Sequence, residues 1–178
     1  MANTTGKKIK DAAIIGGCAS LIYLTIGDIS YRLSLSRGGL NSKLITDMVA
    51  KSAAKKPKNE YKEKLDSMID DGADWFMHQD TEKIIIEKKH RQSLYADLIR
   101  PDKPSNVYII CIHGYTSSPA NMGIYAKKYH ELGYNVLLPS LRGHGDSEQD
   151  FITMGWNDRL DVIEWINYIA ERHPESKI

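Results

Sequence analysis

Val107-Tyr-Ile-Ile-Cys-Ile-His-Gly-Tyr115 and, about thirty residues later, Leu141-Arg-Gly-His-Gly-Asp-Ser147 are the two runs on which the reading of this chain turns. Val107 to Ile112 is almost continuously apolar and β-branched, the pattern of a central strand covered on both faces. It ends in His113-Gly114. Ser118 then offers a helix cap and Pro119 a first helical position. Met122, Tyr125, Ala126, Tyr129 and Leu132 recur at helical spacing as a buried face, and Gly133 suits the left-handed position that closes a helix. Tyr134 to Leu138 reads as the next strand, with the second run following it. Trp156 to Arg172 reads as a helix with Trp156, Leu160, Ile163, Ile166 and Ala170 inward. His173-Pro174 stops it, and Ser176-Lys-Ile178 looks like the entry to a further strand. Strand, helix, strand, helix at these lengths implies right-handed crossovers and a parallel sheet with helices on both faces.

Upstream, Glu82 to Lys89 carries Ile84-Ile-Ile86 between charges and reads as a strand. Leu94 to Arg100, with Leu94, Ala96 and Leu98 on one face, reads as its antiparallel hairpin partner. Two helical patterns come before: Leu40 to Ala54, with Leu44, Ile45, Met48 and Val49 on one face and Pro57 as its stop, and Glu60 to about Gln79. The second places Tyr61, Leu65, Met68, Ile69 and Phe76 toward the core, with Gly72 a weak point. A packing role is favoured for this region over a lid or a partner surface.

Lys7, Lys8 and Lys10 precede an apolar run from Ala12 to Gly27. At about 1.5 Å per residue the run spans ~24 Å, short of a ~30 Å hydrocarbon core. Ile29, Leu33 and Leu35 extend it if Asp28 and Arg32 snorkel. An uncleaved signal anchor, a cleaved signal peptide and a buried helix compete. The anchor is favoured, because no Ala-x-Ala site follows the run. Ile15-Gly-Gly-Cys18 resembles a lipoprotein box, but apolar residues continue past Cys18 instead of leading up to it. The leading lysines favour a cytoplasmic N-terminus and a single-pass protein with its domain outside, although Arg32, Arg37 and Lys43 weaken the asymmetry. The expected organisation is a signal-anchor-like segment over 1–35, a helical connection over 36–80 and an α/β core over 81–178.

Composition removes several classes. A net charge of +1 over 178 residues, with no basic stripe, excludes a nucleic-acid surface. Lys55, Lys56, Lys58, Lys62 and Lys64 alternate with acids as a solvated helix face. Cys18 and Cys111 do not suggest an internal disulfide, and the scattered histidines lack metal-ligand spacing. Gly143-His144-Gly145 lacks the G-x-G-x-x-G spacing and the following helix of a dinucleotide site, so no cofactor is expected.

His113-Gly114-Tyr115-Thr116 after one strand, and Leu141-Arg-Gly-His-Gly-Asp-Ser147 after the next, together resemble the α/β-hydrolase superfamily, nearest the bacterial serine aminopeptidase-like and esterase-like group. The resemblance covers Glu82 to Ile178. It implies that the amide of Tyr115 is an oxyanion donor, while the other donor comes from the residue after the nucleophile. Gly114, Tyr115 and Thr116 would then border the substrate, an ester or a peptide, with Gly114 allowing a tight turn. His113 is expected to be a hydrogen-bonded loop brace. Arg142, Gly143, His144 and Gly145 are expected to form a structural loop, with Arg142 tying carbonyls or a carboxylate.

The nucleophile should sit in G-x-S-x-G between a strand and a helix. Gly145-Asp-Ser-Glu-Gln149 fails at its last position. With Ser147 as nucleophile, Asp158 or Asp161 would share one helix with His173 and lie about 18 Å or more from it, so no triad forms. The nucleophile, acid and histidine are expected beyond Ile178, with the elbow within ~10 residues. The expected function is part of a membrane-anchored serine hydrolase, inactive as given. The alternative is a non-catalytic membrane-associated binding module, completed by a partner chain that pairs with a sheet edge exposed after the Tyr134–Leu138 strand.

Overall fold

The two upstream runs pair as antiparallel strands, β1 (Glu82–Ile86) and β2 (Leu94–Ile99), in which Ile84 faces Ala96 and Ile86 faces Leu94. β2 in turn pairs antiparallel with β4 (Asn135–Ser140), which pairs parallel with β3 (Tyr108–Ile110), giving the order β1-β2-β4-β3. This computed structural model describes residues 2–40, 43, 47, 48, 51, 52, 59–87 and 93–178, and residues 2–13, 39 and 40 by their backbone alone. Most of the helix expected over Leu40 to Ala54, the lysines at 55, 56 and 58, and the far end of the first strand at Lys88 and Lys89 lie outside the described residues.

The sheet is mixed, and its central strand is β4. All six residues of β4 are buried, between β2 on one side and β3 on the other. β4 itself therefore has no free edge among the described residues, contrary to the sequence expectation; the edge strands are β1 and β3. The outer side of β3 meets a single parallel bridge between Val107 and Lys177. The run from Ser176 thus begins to dock beside β3.

Each face of the sheet has its own apolar cluster. Ile84, Leu94, Ala96, Leu98, Tyr108 and Leu137 pack with Trp165 and Ile169 of α5 (Asp158–Arg172). On the other face Ile99, Cys111, Val136 and Leu138 pack with Phe76 of α3 (Glu60–Met77) and Ala126 of α4 (Gly123–Glu131). Helices therefore cover both faces, as the alternation of elements implied.

Three helical faces differ from the sequence expectation. In α3 the buried residues are Gly72 and Phe76, whereas Tyr61, Leu65 and Met68 are exposed. Gly72 is a contact point instead of a weak point. A Cβ there would lie 2.3 Å from the Ile124 nitrogen, and one on Gly123 would lie 2.0 Å from the Gly72 oxygen. The two glycines let α3 and α4 touch backbone to backbone, so larger apolar residues on either side are held out of the contact. Pro119–Met122 forms a 3-10 turn before α4, and the Ser118 side chain makes no capping bond. Of the expected apolar face here, Ala126 is fully buried while Tyr125 and Leu132 stay exposed. Gly133 takes φ +80, the left-handed closure its position suggested. In α5 the inward stripe is Asp158, Asp161, Trp165 and Ile169, while Trp156, Leu160, Ile163, Ile166 and Ala170 are exposed. Two acids sit inside because both find partners, as described below.

At the N-terminus α1 runs from Ala2 to Leu35, followed by the short α2 (Arg37–Leu40). The stretch Ile14–Leu35 is long and apolar enough to cross a membrane. Asp28 and Arg32 pair at 2.8 Å one turn apart, so the two charges that interrupt the stretch neutralise each other on the helix surface. The last turn of α1 is bonded to the core, as described below.

Candidate functional site

The loop leaving β3 and the loop leaving β4 start from neighbouring parallel strands, so their first residues emerge side by side. Two histidines cross-link them. His113 Nε2 accepts the Leu141 amide at 3.1 Å, and His144 Nε2 accepts the Thr116 amide at 3.2 Å. The other ring nitrogens face carbonyls of their own loops, His113 Nδ1 to Gly114 at 3.0 Å and His144 Nδ1 to Arg142 at 2.9 Å. An Nε2 that accepts leaves the proton on Nδ1, so this network assigns both rings as neutral Nδ1–H tautomers. The rings meet edge to face at 4.9 Å. Both are buried, and burial lowers the pKa of His113 below its ordinary value of 6.5. With all four nitrogens engaged, neither ring is placed to deprotonate a nucleophile.

The β4 loop is shaped by its glycines. Gly143 takes φ +73 and Gly145 φ +51, and a Cβ on Gly143 would lie 2.8 Å from Ile152 Cγ1. Arg142 grips α5: its Nε and Nη2 donate to the two Asp161 carboxylate oxygens at 2.6 and 2.7 Å, and Nη1 donates to Gln149 at 2.9 Å. This bidentate pair is why Asp161 occupies the inward stripe. Asp158 is buried beside it. Its Oδ2 accepts from the Thr153 hydroxyl at 2.8 Å and the Gly155 amide at 2.7 Å, while Oδ1 has no partner among the described residues.

On the β3 loop the strained residue is Thr116, at φ +57. Gly114, expected to be needed for the turn, has no positive φ, and a Cβ added there would meet nothing within 4 Å. The turn is closed by the Ser117 amide donating to the Gly114 oxygen, which leaves the left-handed step to Thr116. Tyr115 is half exposed, and its phenol donates to the Ser34 oxygen of α1 at 2.6 Å. Its amide has no hydrogen-bond partner among the described residues. His113, Gly114, Tyr115 and His144 share the wall of one cavity of about 450 Å³ with Asp158 and Arg159 of α5.

No serine, acid and histidine come together among the described residues. Ser147 is buried, and its Oγ accepts the Gln149 amide at 3.4 Å. Asp161 is committed to Arg142, and His173 stacks on Tyr108 at 5.1 Å, at the far end of α5.

Sequence reasoning expected Arg142 to tie carbonyls or a carboxylate but did not identify Asp161 as that carboxylate, and it missed Gln149, the buried role of Asp158 and the α1 contacts. Two acids three apart at a helix start could have been read as facing inward toward Arg142, but a single sequence does not distinguish that from a solvated first turn. Ser34 and Arg37 carried no signal at all. Arg37 donates to the Ser147 and Gly145 oxygens at 2.7 and 2.6 Å, and the Ile152 amide donates to Leu35 at 2.8 Å.

The arrangement of sheet and corner defines a class. Two strands antiparallel to their neighbours lead into a parallel pair, and a His-Gly corner opens on a cavity at the strand ends. Pyrococcus furiosus esterase Pf2001 has the same fold over 58% of this chain, with TM-scores of 0.51 and 0.50 and identities of 27% and 26% in two crystal forms. A thermostable monoacylglycerol lipase from Bacillus sp. (strain H-257) is 28% identical over 92 residues, 37% of that protein. No family model matches the chain. The chain spans about 40% of the length of these proteins. Its core is part of an α/β-hydrolase fold, and the proteins it is similar to are an esterase and a lipase.

Proposed function

We propose that this chain carries the oxyanion-binding side of a membrane-anchored serine ester hydrolase, and that it does not turn over substrate by itself. The observation that carries the reading is the Tyr115 amide, which has no hydrogen-bond partner among the described residues and lies in a loop pinned at Thr116 by His144. Such a donor, held rigid before reaction, stabilises a tetrahedral oxyanion by several kcal/mol. The esterase and lipase likenesses support an ester as substrate, and peptides remain the second choice. The serine, the acid and the basic histidine are supplied by residues outside this set. The Ile14–Leu35 helix supports the anchor, and the lysines before it support a domain outside the cytoplasm.

Two measurements test this. The purified chain should show no phosphonate-sensitive hydrolysis of p-nitrophenyl acetate. A fusion that joins Ile178 to the Pf2001 region carrying the serine, acid and histidine should hydrolyse it. Catalytic hydrolysis by the unfused chain would overturn the reading. So would a folded but inactive fusion.

The outer side of β3, which among the described residues carries only the Val107–Lys177 bridge, supports a second reading, a non-catalytic module whose sheet is completed by a partner chain. A defined oligomer in light scattering would support it, and polydisperse aggregate would count against it.

A further inference from the structure

The anchor helix touches the core along its side as well as at its tip. Tyr31 stacks on Phe151 with centroids 5.5 Å apart, and the Ser34 and Leu35 oxygens accept from Tyr115 and Ile152. Tyr31 lies four residues before Leu35, about 6 Å back along the axis at 1.5 Å per residue. The loop that begins at Phe151 therefore sits beside the last turn of the apolar stretch instead of beyond it. Arg37 fixes this arrangement by bridging the oxygens of Gly145 and Ser147.

Ile152, Met154 and Gly155 of that loop line the cavity, Phe151 and Trp156 flank them, and these side chains are unlike those of an ordinary wetted turn. Phe151, Met154 and Trp156 are 36%, 63% and 72% exposed, and the Arg159 guanidinium lies 4.2 Å over the Trp156 ring. Aromatic rings with arginines on flexible stems are the residues that settle at a membrane–water boundary.

We propose that this rim is a lipid-contacting surface: Phe151, Met154 and Trp156 enter the headgroup layer of the membrane that α1 crosses, so the cavity opens onto the bilayer. The inference rests on the anchor reading above. It adds to that reading a fixed depth and a fixed facing for the core, set by the Tyr31, Ser34, Leu35 and Arg37 contacts.

The test uses the full chain reconstituted in phosphatidylcholine–phosphatidylglycerol vesicles whose acyl chains are brominated close to the headgroup. Tryptophan fluorescence should be quenched, and the quenched fraction should disappear in Trp156→Phe, a change at an exposed position. Arg37→Ala, which loosens the core from the helix, should reduce the quenching while the chain still sediments with the vesicles. A chain that sediments with vesicles but shows the same emission in brominated and unbrominated lipid would overturn the docking and leave the anchor standing. The rim would then be covered by protein or by water. A chain that stays in the supernatant would overturn the anchor itself, and the docking with it.

Discussion

His113 and His144 hold the corner by accepting one amide from each other's loop, and the protonation of His113 should be measurable. Burial keeps the folded pKa of His113 below 6.5, so the unfolded chain binds the proton more readily. The stability this neutral ring contributes is complete above pH 6.5 and is lost as pH falls from there toward the folded value. Urea midpoints should therefore fall between pH 7 and pH 5, and the fall should be shallower in His113→Gln. Arg142 offers a sharper contrast. Arg142→Ala leaves the buried Asp161 carboxylate without its bidentate partner and should cost about 3–5 kcal/mol in denaturant unfolding. Arg142→Met with Asp161→Leu removes both charges and should recover most of that loss. If single and double variants are equally destabilised, the pair is not what positions α5.

At the scale of elements, the α3–α4 crossing makes the clearest prediction. Gly72→Ala puts a methyl 2.3 Å from a backbone nitrogen that has no flexible end to move. It should destabilise the domain by about 1–3 kcal/mol or more, although alanine is the better helix former. Thermal melts of Gly72→Ala and of an exposed control, Ser67→Ala, would separate the crowding from propensity. The strands were legible because Ile84-Ile-Ile86 is a β-branched run between charges, Leu94, Ala96 and Leu98 share one face of β2, and β4 is a short apolar run between Gly133 and the Leu141 loop. The helix faces were not. In α5 the periodic apolar set 156, 160, 163, 166 looked like the core side, yet Trp165 and Ile169 fill it with two acids beside them. Periodicity ranks faces by hydrophobicity, and it cannot see that a guanidinium nineteen residues away makes a carboxylate the better inward residue. Gly72 was misread for a related reason: propensity describes an isolated helix, and the requirement for glycine comes from the neighbour.

For the whole molecule, the class of fold followed from two short motifs in the right order, whereas the attachment of α1 to the core did not. Hydropathy shows that Ile14–Leu35 suits a membrane, but not that its last turn is bonded to the 145–152 loop. Hydrogen–deuterium exchange should report that bond directly: Arg37→Ala should speed exchange in a peptide covering 145–152 and leave β4 protected. Unchanged exchange would mean that the loop is held by its own glycine turns and by Arg142. The histidine cross-link has a further consequence for synthesis. Each of its bonds joins residues 28 apart, and β2, β3, β4 and both loops are complete once residue 152 has left the ribosome. The corner can therefore assemble while the chain is still being translated, so that residues made later would meet a half already set in shape.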